Sequence, residues 1–131
     1  MHPFSFSSTE LAVKTEQHLP NVNTLELYVF LGIERAKKCA TASQTKSAHM
    51  RVVNTLTETM CDDCLSLEWR ESCHKWIRKL LPVLFEILPT CTYWQELENI
   101  KLLKEYFLTN KCAVKHRDVS ASSGQASSNL R

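Results

Sequence analysis

The sequence predicts an all-α fold, a compact bundle of four to five helices, in one domain spanning residues 1–111, followed by a disordered, serine-rich tail spanning residues 112–131. Glycine is scarce: the 131-residue chain has two, and one of them lies in the tail. The body therefore has little means of forming the tight turns of hairpins or the loops that cradle phosphates. Apolar residues make up 44% of the chain, enough for one core, and in the body they recur every three to four positions.

The first helix is predicted from its capping signals. Ser7 and Glu10 match a capping box, in which each side chain bonds the other's backbone N–H. The helix is expected to end near His18, because the residue before a proline, here Pro20, disfavours helical backbone.

The second helix is predicted from Leu25 to Ala40, although Tyr, Val and Phe within residues 25–31 leave a strand as an alternative. Apolar side chains lie around this whole segment, so we expect it to be enclosed or to form an interface. The candidate interface residues are Leu27, Phe30 and Leu31.

The remaining helices follow from apolar stripes and prolines. A third helix is predicted from Ser47 to Cys64, after a polar break, and a fourth from Leu65 to Leu88, ended by Pro89. A capping box at Thr92–Gln95 predicts the fifth helix, which stops near residue 110. Three large aromatic residues are expected to anchor the core: Trp69, Trp76 and Trp94.

A cluster of thiols in the stretch CDDCLSLEWRESCH raises the possibility of a zinc site. Zinc takes about four nitrogen or sulfur ligands in a tetrahedron. The candidate ligands are Cys61, Cys64, Cys73, His74 and Cys91. If the helices run unbroken, however, Cys64 and Cys73 lie on apolar stripes and are buried structural thiols. Zinc is therefore a possible cofactor, and no other cofactor is expected.

A basic row on the predicted fourth helix is a candidate nucleic-acid surface. It consists of Arg70, Lys75, Arg78 and Lys79. Such cations could hold the phosphates of RNA or DNA. The chain carries +3 from Lys111 onward and −1 before it, so the body is close to neutral, which is atypical of a nucleic-acid-binding domain. A solvated face opposite an apolar stripe is the alternative interpretation.

The sequence contains no triad, P-loop or metalloprotease signature, so we expect a protein that is not an enzyme. The N-terminus lacks the features of a secretory signal, and the apolar run Leu25–Ile33 is too short to span a bilayer. These features predict an intracellular protein, cytoplasmic or nuclear, with no membrane partner.

The leading functional hypothesis is a non-catalytic helical accessory protein that regulates a protein partner or associates with itself. One alternative is a zinc-stabilised regulator that binds RNA or DNA through the basic row. A second alternative is a secreted four-helix signalling protein linked by disulfides, since six cysteines allow three bridges.

Overall fold

A computed structural model describes residues 5–110, which form five α-helices and no strand. In chain order they are α1 (Phe6–Lys14), α2 (Thr24–Lys37), α3 (Ala42–Met60), α4 (Leu67–Ile87) and α5 (Thr90–Lys104), and a π-helical segment (Glu105–Asn110) continues α5. The all-α prediction is confirmed, while the predicted tail, 112–131, lies outside the described residues. None of the described helices combines the length and the apolar character needed to cross a membrane.

The first four helices surround the core. α3 packs against both α2 and α4, and α1 packs across α2 and α3. The largest fully buried side chains come from three of these helices: Tyr28, Leu56, Met60, Ile77 and Leu84. Burying each aliphatic side chain of this size contributes about 1.5–3 kcal/mol. The strand alternative for residues 25–31 is wrong, because α2 is helical from Thr24 onward.

The start and end of α1 differ from the prediction. Ser5, and not Ser7, caps the helix by accepting a hydrogen bond from the Ser8 N–H at 3.0 Å. Glu10 therefore lies beyond the first turn of the helix and is not part of a capping box. Its side chain turns toward the core instead. α1 ends at Lys14, short of the predicted His18, because Glu16 adopts a left-handed backbone with φ of 54°.

The boundaries of α3 differ as well. Thr41 caps this helix by accepting from the Gln44 N–H at 3.1 Å, so the segment predicted to be a polar break is already helical. α3 ends at Met60 rather than Cys64, and the chain then turns before Ser66 caps α4. Polar residues near a helix start form a solvent-facing first turn here, which a search for apolar periodicity cannot detect.

The capping box predicted for the fifth helix is also wrong. α5 begins at Thr90, with Pro89 as its N-cap residue and no side-chain cap. The Pro89 carbonyl accepts the first helical hydrogen bond from the Tyr93 N–H at 2.9 Å. Proline marks the end of α4 as predicted, but it also leads directly into the next helix, so the connection is short.

A buried carboxylate joins α1, α2 and α3. Glu10 accepts hydrogen bonds from Arg51 Nη2 at 2.8 Å, from Arg51 Nε at 3.0 Å and from the Tyr28 hydroxyl at 2.7 Å. The Arg51 guanidinium is the main reason that the Glu10 pKa falls to about 2. Burial raises the pKa of Tyr28, so its hydroxyl stays a donor. This network aligns three helices around one charge pair.

Candidate protein interaction groove

The last helix, α5, lies outside the four-helix arrangement. It packs mainly against α4, and Tyr93 and Ile100 are the two residues of α5 that are buried. Trp94 is 54% exposed and Leu102 58% exposed, and Tyr106 in the π-helical segment is exposed too. The contact with α4 therefore buries one narrow stripe of α5. Large apolar side chains on the rest of the helix face outward, an arrangement that is typical of interaction surfaces.

An aromatic cluster marks the corner where α4 leads into α5. Tyr93 packs edge-to-face against Phe85 on one side and Trp94 on the other, with ring centroids 5.2 Å apart in each pair. Phe85 and Trp94 are both more than half exposed. Trp94 was predicted to anchor the core, and that prediction is wrong, because no described helix packs over that side of α5. Trp69 is buried, and Trp76 is half-buried.

A groove of about 640 Å³ runs between α4 and α5. Its apolar part is aliphatic and comes from both helices: Leu81 from α4, and Leu97, Ile100 and Leu102 from α5. Its polar edge carries three cations, Arg78, Lys101 and Lys104, together with two carboxylates, Glu98 and Glu105. The volume lies within the range of ordinary binding sites, and aliphatic contact flanked by charge is suited to holding a polypeptide segment.

The pKa of His74 depends on the charges that line this groove. Its imidazole is half-buried in the groove wall. Burial is the largest cause of its lowered pKa, and the positive charges of Lys104 and Arg78 lower the pKa further. Both charges that lower the pKa of His74 are positive, and they belong to Lys104 and Arg78, whose side chains line the groove with it.

The predicted basic row is interrupted by Arg70, which is 3% exposed. Its Nε donates to the Met60 carbonyl at 2.9 Å, and its Nη2 donates to the Phe107 carbonyl at 3.0 Å. The same Nη2 lies 3.5 Å from the Asp63 carboxylate. Arg70 therefore faces inward and joins the end of α3 to the π-helical segment, and it is not available to phosphates.

The other members of that row remain on the surface. Lys75, Arg78 and Lys79 are exposed, and the Lys79 ammonium lies 4.4 Å from the centre of the Trp76 ring. Arg78 lines the α4–α5 groove, whereas Lys75 and Lys79 line a separate cleft beside Trp69. The structure thus divides the row between two surfaces, and binding of RNA or DNA stays a prediction.

The candidate zinc ligands lie in different environments. Cys61 is half-buried, Cys64 and Cys91 are exposed, and Cys73 is fully buried on α4. Burial raises the pKa of the Cys73 thiol to about 12, which disfavours the thiolate that zinc requires. Among residues 5–110, no three His, Cys, Asp or Glu side chains are grouped as a metal site requires. Zinc binding stays a prediction, which elemental analysis of the purified protein would test.

Cys64 was expected on an apolar stripe, and its exposure corrects that expectation. The chain leaves α3 at Met60, and the Asp62 carboxylate accepts a hydrogen bond from the Cys64 N–H at 2.9 Å. This local turn carries Cys64 outward. The five cysteines within the described part of the chain are all free thiols, so the alternative with disulfides depends on a thiol count in the native protein.

The three interface residues predicted on α2 do not form one exposed surface. Leu27 is 6% exposed and belongs to the core, Leu31 is half-buried, and Phe30 is half-exposed. Sequence reasoning missed the α4–α5 groove, although a signal was present. Beside the predicted stripe, α5 carries Trp94 and Leu102, which indicates more apolar surface than a single packing face can cover.

Comparisons with known proteins identify no relative: no protein-family model, curated protein or solved structure matches this chain.

Proposed function

We propose that this chain is a non-catalytic interaction protein that binds a helix of a partner protein in the groove between α4 and α5. The observation that supports the proposal is the large apolar surface that α5 leaves exposed after packing on α4, with Leu102 at the groove and Trp94 further along the helix. Burial of apolar surface in a complex stabilises association, and exposed apolar patches of this kind are typical of docking sites.

The dimensions of the groove favour a helix as the occupant. The groove extends along α4 from His74 to Leu81, and along α5 from Leu97 to the first residue of the π-helical segment, Glu105. At 1.5 Å per residue each wall is about 10–12 Å long, which corresponds to two turns of a third helix. A helix placed there would present apolar residues at i, i+3 and i+4 to the aliphatic side chains, as in other helix-in-groove complexes.

The test uses three helical peptides of about 18 residues, or five turns, that share one leucine face. Their polar faces differ, being acidic, neutral or basic. Binding is followed by the fluorescence anisotropy of a dye attached to each peptide, because Trp94 lies outside the groove lining and would not report every bound peptide. We expect at least one peptide to bind.

The decisive variant is Leu102→Gln. Loss of one buried leucine contact, about 1.5–3 kcal/mol, should weaken binding by roughly 10- to 100-fold. Leu11→Gln on α1 is the matched control, because Leu11 is 60% exposed and Leu102 is 58% exposed. If no peptide binds, or if both variants bind as the unchanged protein does, the proposed function is wrong.

A further inference from the structure

We infer that the partner helix carries an acidic polar face, an inference that rests on the proposed function and names the chemistry of its partner. The three cations at the groove edge, Arg78, Lys101 and Lys104, come from both walls and would flank a bound helix on each side. Acidic side chains on the polar face of that helix would meet them while its apolar face covers the leucines.

These three cations are not held in ion pairs within the described part of the chain. Among residues 5–110, ion pairs engage Lys37, Arg51 and Arg70, and none engages a cation of the groove edge. Glu98 and Glu105 also line the groove, so the three cations outnumber the carboxylates there. The lining therefore has an excess of positive charge, and Lys104 and Arg78 lower the pKa of His74 in its wall.

An acidic helix fits these observations better than a nucleic acid does. The groove offers aliphatic contact from Leu81, Leu97 and Leu102, and recognition of single-stranded RNA depends on aromatic side chains on which bases stack. Trp94 and Phe85 lie outside the groove lining. Cations beside leucines match an amphipathic helix, in which acidic and apolar residues alternate with helical period.

The same three peptides test this inference at low and high salt. We expect the acidic peptide to bind at least ~10-fold tighter than the basic one at about 0.05 M salt. We expect that preference to shrink at 1 M salt, where the screening length falls to about 3 Å. The variant Lys101→Glu/Lys104→Glu should reverse the preference. Lys38→Glu/Lys46→Glu is the matched control, because both lysines are exposed and lie away from the groove, and it should keep the preference.

Each other outcome has a distinct meaning. If all three peptides bind equally at both salt concentrations, the acidic partner is excluded while the proposed function stands. If none binds, both are overturned. If a single-stranded RNA binds tighter than the acidic peptide and Lys101→Glu/Lys104→Glu abolishes it, the surface belongs to RNA. If sedimentation detects a dimer that Leu102→Gln dissociates, the occupant is a second copy of the chain. Either of these last two results overturns the inference.

Discussion

Around Glu10 the charged side chains are paired and the carboxylate is buried, whereas among residues 5–110 no ion pair engages the cations that line the α4–α5 groove. Glu10 accepts two hydrogen bonds from Arg51 and one from Tyr28, and its pKa falls to about 2. In the groove, Lys104 and Arg78 act together on His74 and lower its pKa. The first arrangement holds three helices in register, while the second leaves charge and apolar contact available to another molecule.

The difference shows that charge density alone does not identify a functional surface. A buried carboxylate with a complete set of donors specifies one packing arrangement, because any other arrangement would leave it without them. Exposed cations without a local partner contribute little to stability, and their substitution is tolerated. Variants can therefore separate residues that hold the fold from residues that are free to bind.

The largest effect is expected at Arg70. Arg70→Ala leaves the Met60 and Phe107 carbonyls without their donor and opens a space beside α3, so it should lower the free energy of unfolding by about 3 kcal/mol. Urea denaturation followed by circular dichroism gives this value. Arg78→Ala, one exposed position on the same helix, should change it by less than about 0.5 kcal/mol. Equal effects would mean that Arg70 does not hold the π-helical segment.

A smaller loss is expected at the paired carboxylate. Glu10→Gln keeps the shape of the side chain but removes the charge that receives the Arg51 guanidinium. The free energy of unfolding should fall by about 2 kcal/mol, the scale of hydrogen bonds to charged groups. Glu26→Gln on the exposed surface of α2 is the control and should have little effect. A fall no larger than that of the control would show that the network is not stabilising.

The pH dependence of stability should identify Glu10 directly. Its pKa is lower in the folded protein than the ordinary 4.5, so the contribution of the ionised group is fully present above pH 4.5 and is lost as pH falls through about 2. Melting temperatures measured across pH 2–6 should decline more steeply for the unchanged protein than for Glu10→Gln. Parallel curves would assign the acid sensitivity to other carboxyls.

A moderate loss of stability is expected when Gly32, at the contact between α2 and α3, is replaced. A Cβ at this position would clash with a Val52 methyl across the α2–α3 contact. Overpacking costs about 1–3 kcal/mol, and the better helix propensity of alanine recovers up to about 1 kcal/mol. Gly32→Ala should therefore lower stability by about 1 kcal/mol. Combining it with Val52→Ala makes room for the methyl, so the double variant should be more stable than the sum of the two single effects predicts.

The smallest effect concerns the groove itself. Lys104→Met removes one positive charge near His74, so the pKa of His74 should rise toward its ordinary value, and stability should change little. Titration of the imidazole by NMR measures the shift. Lys46→Met, on α3, removes the same charge elsewhere and should leave the His74 pKa unchanged. An equal response to both variants would contradict a local positive field in the groove.

Local regularities determined the helical class of this protein. Scarce glycine, apolar residues every three to four positions and Pro89 are properties of neighbouring residues, so they predict helices and one boundary without knowledge of packing. The stripe of α4 is the clearest case: Ile77, Leu80 and Leu84 recur at helical spacing in the sequence and are buried together in the structure. The other observed helix boundaries differ from the predicted ones, because capping depends on backbone geometry that several serines and threonines could satisfy.

Tertiary structure decided which polar and aromatic residues are inside. Arg70 belonged to a charged row, and it is buried because the end of α3 and the π-helical segment supply carbonyls that receive its protons. Trp94 was the kind of residue that anchors cores, and it is exposed because α5 packs mainly on α4 and turns that side away. Burial depends on which elements meet in space, and contacts between residues far apart in the chain leave no periodic signal.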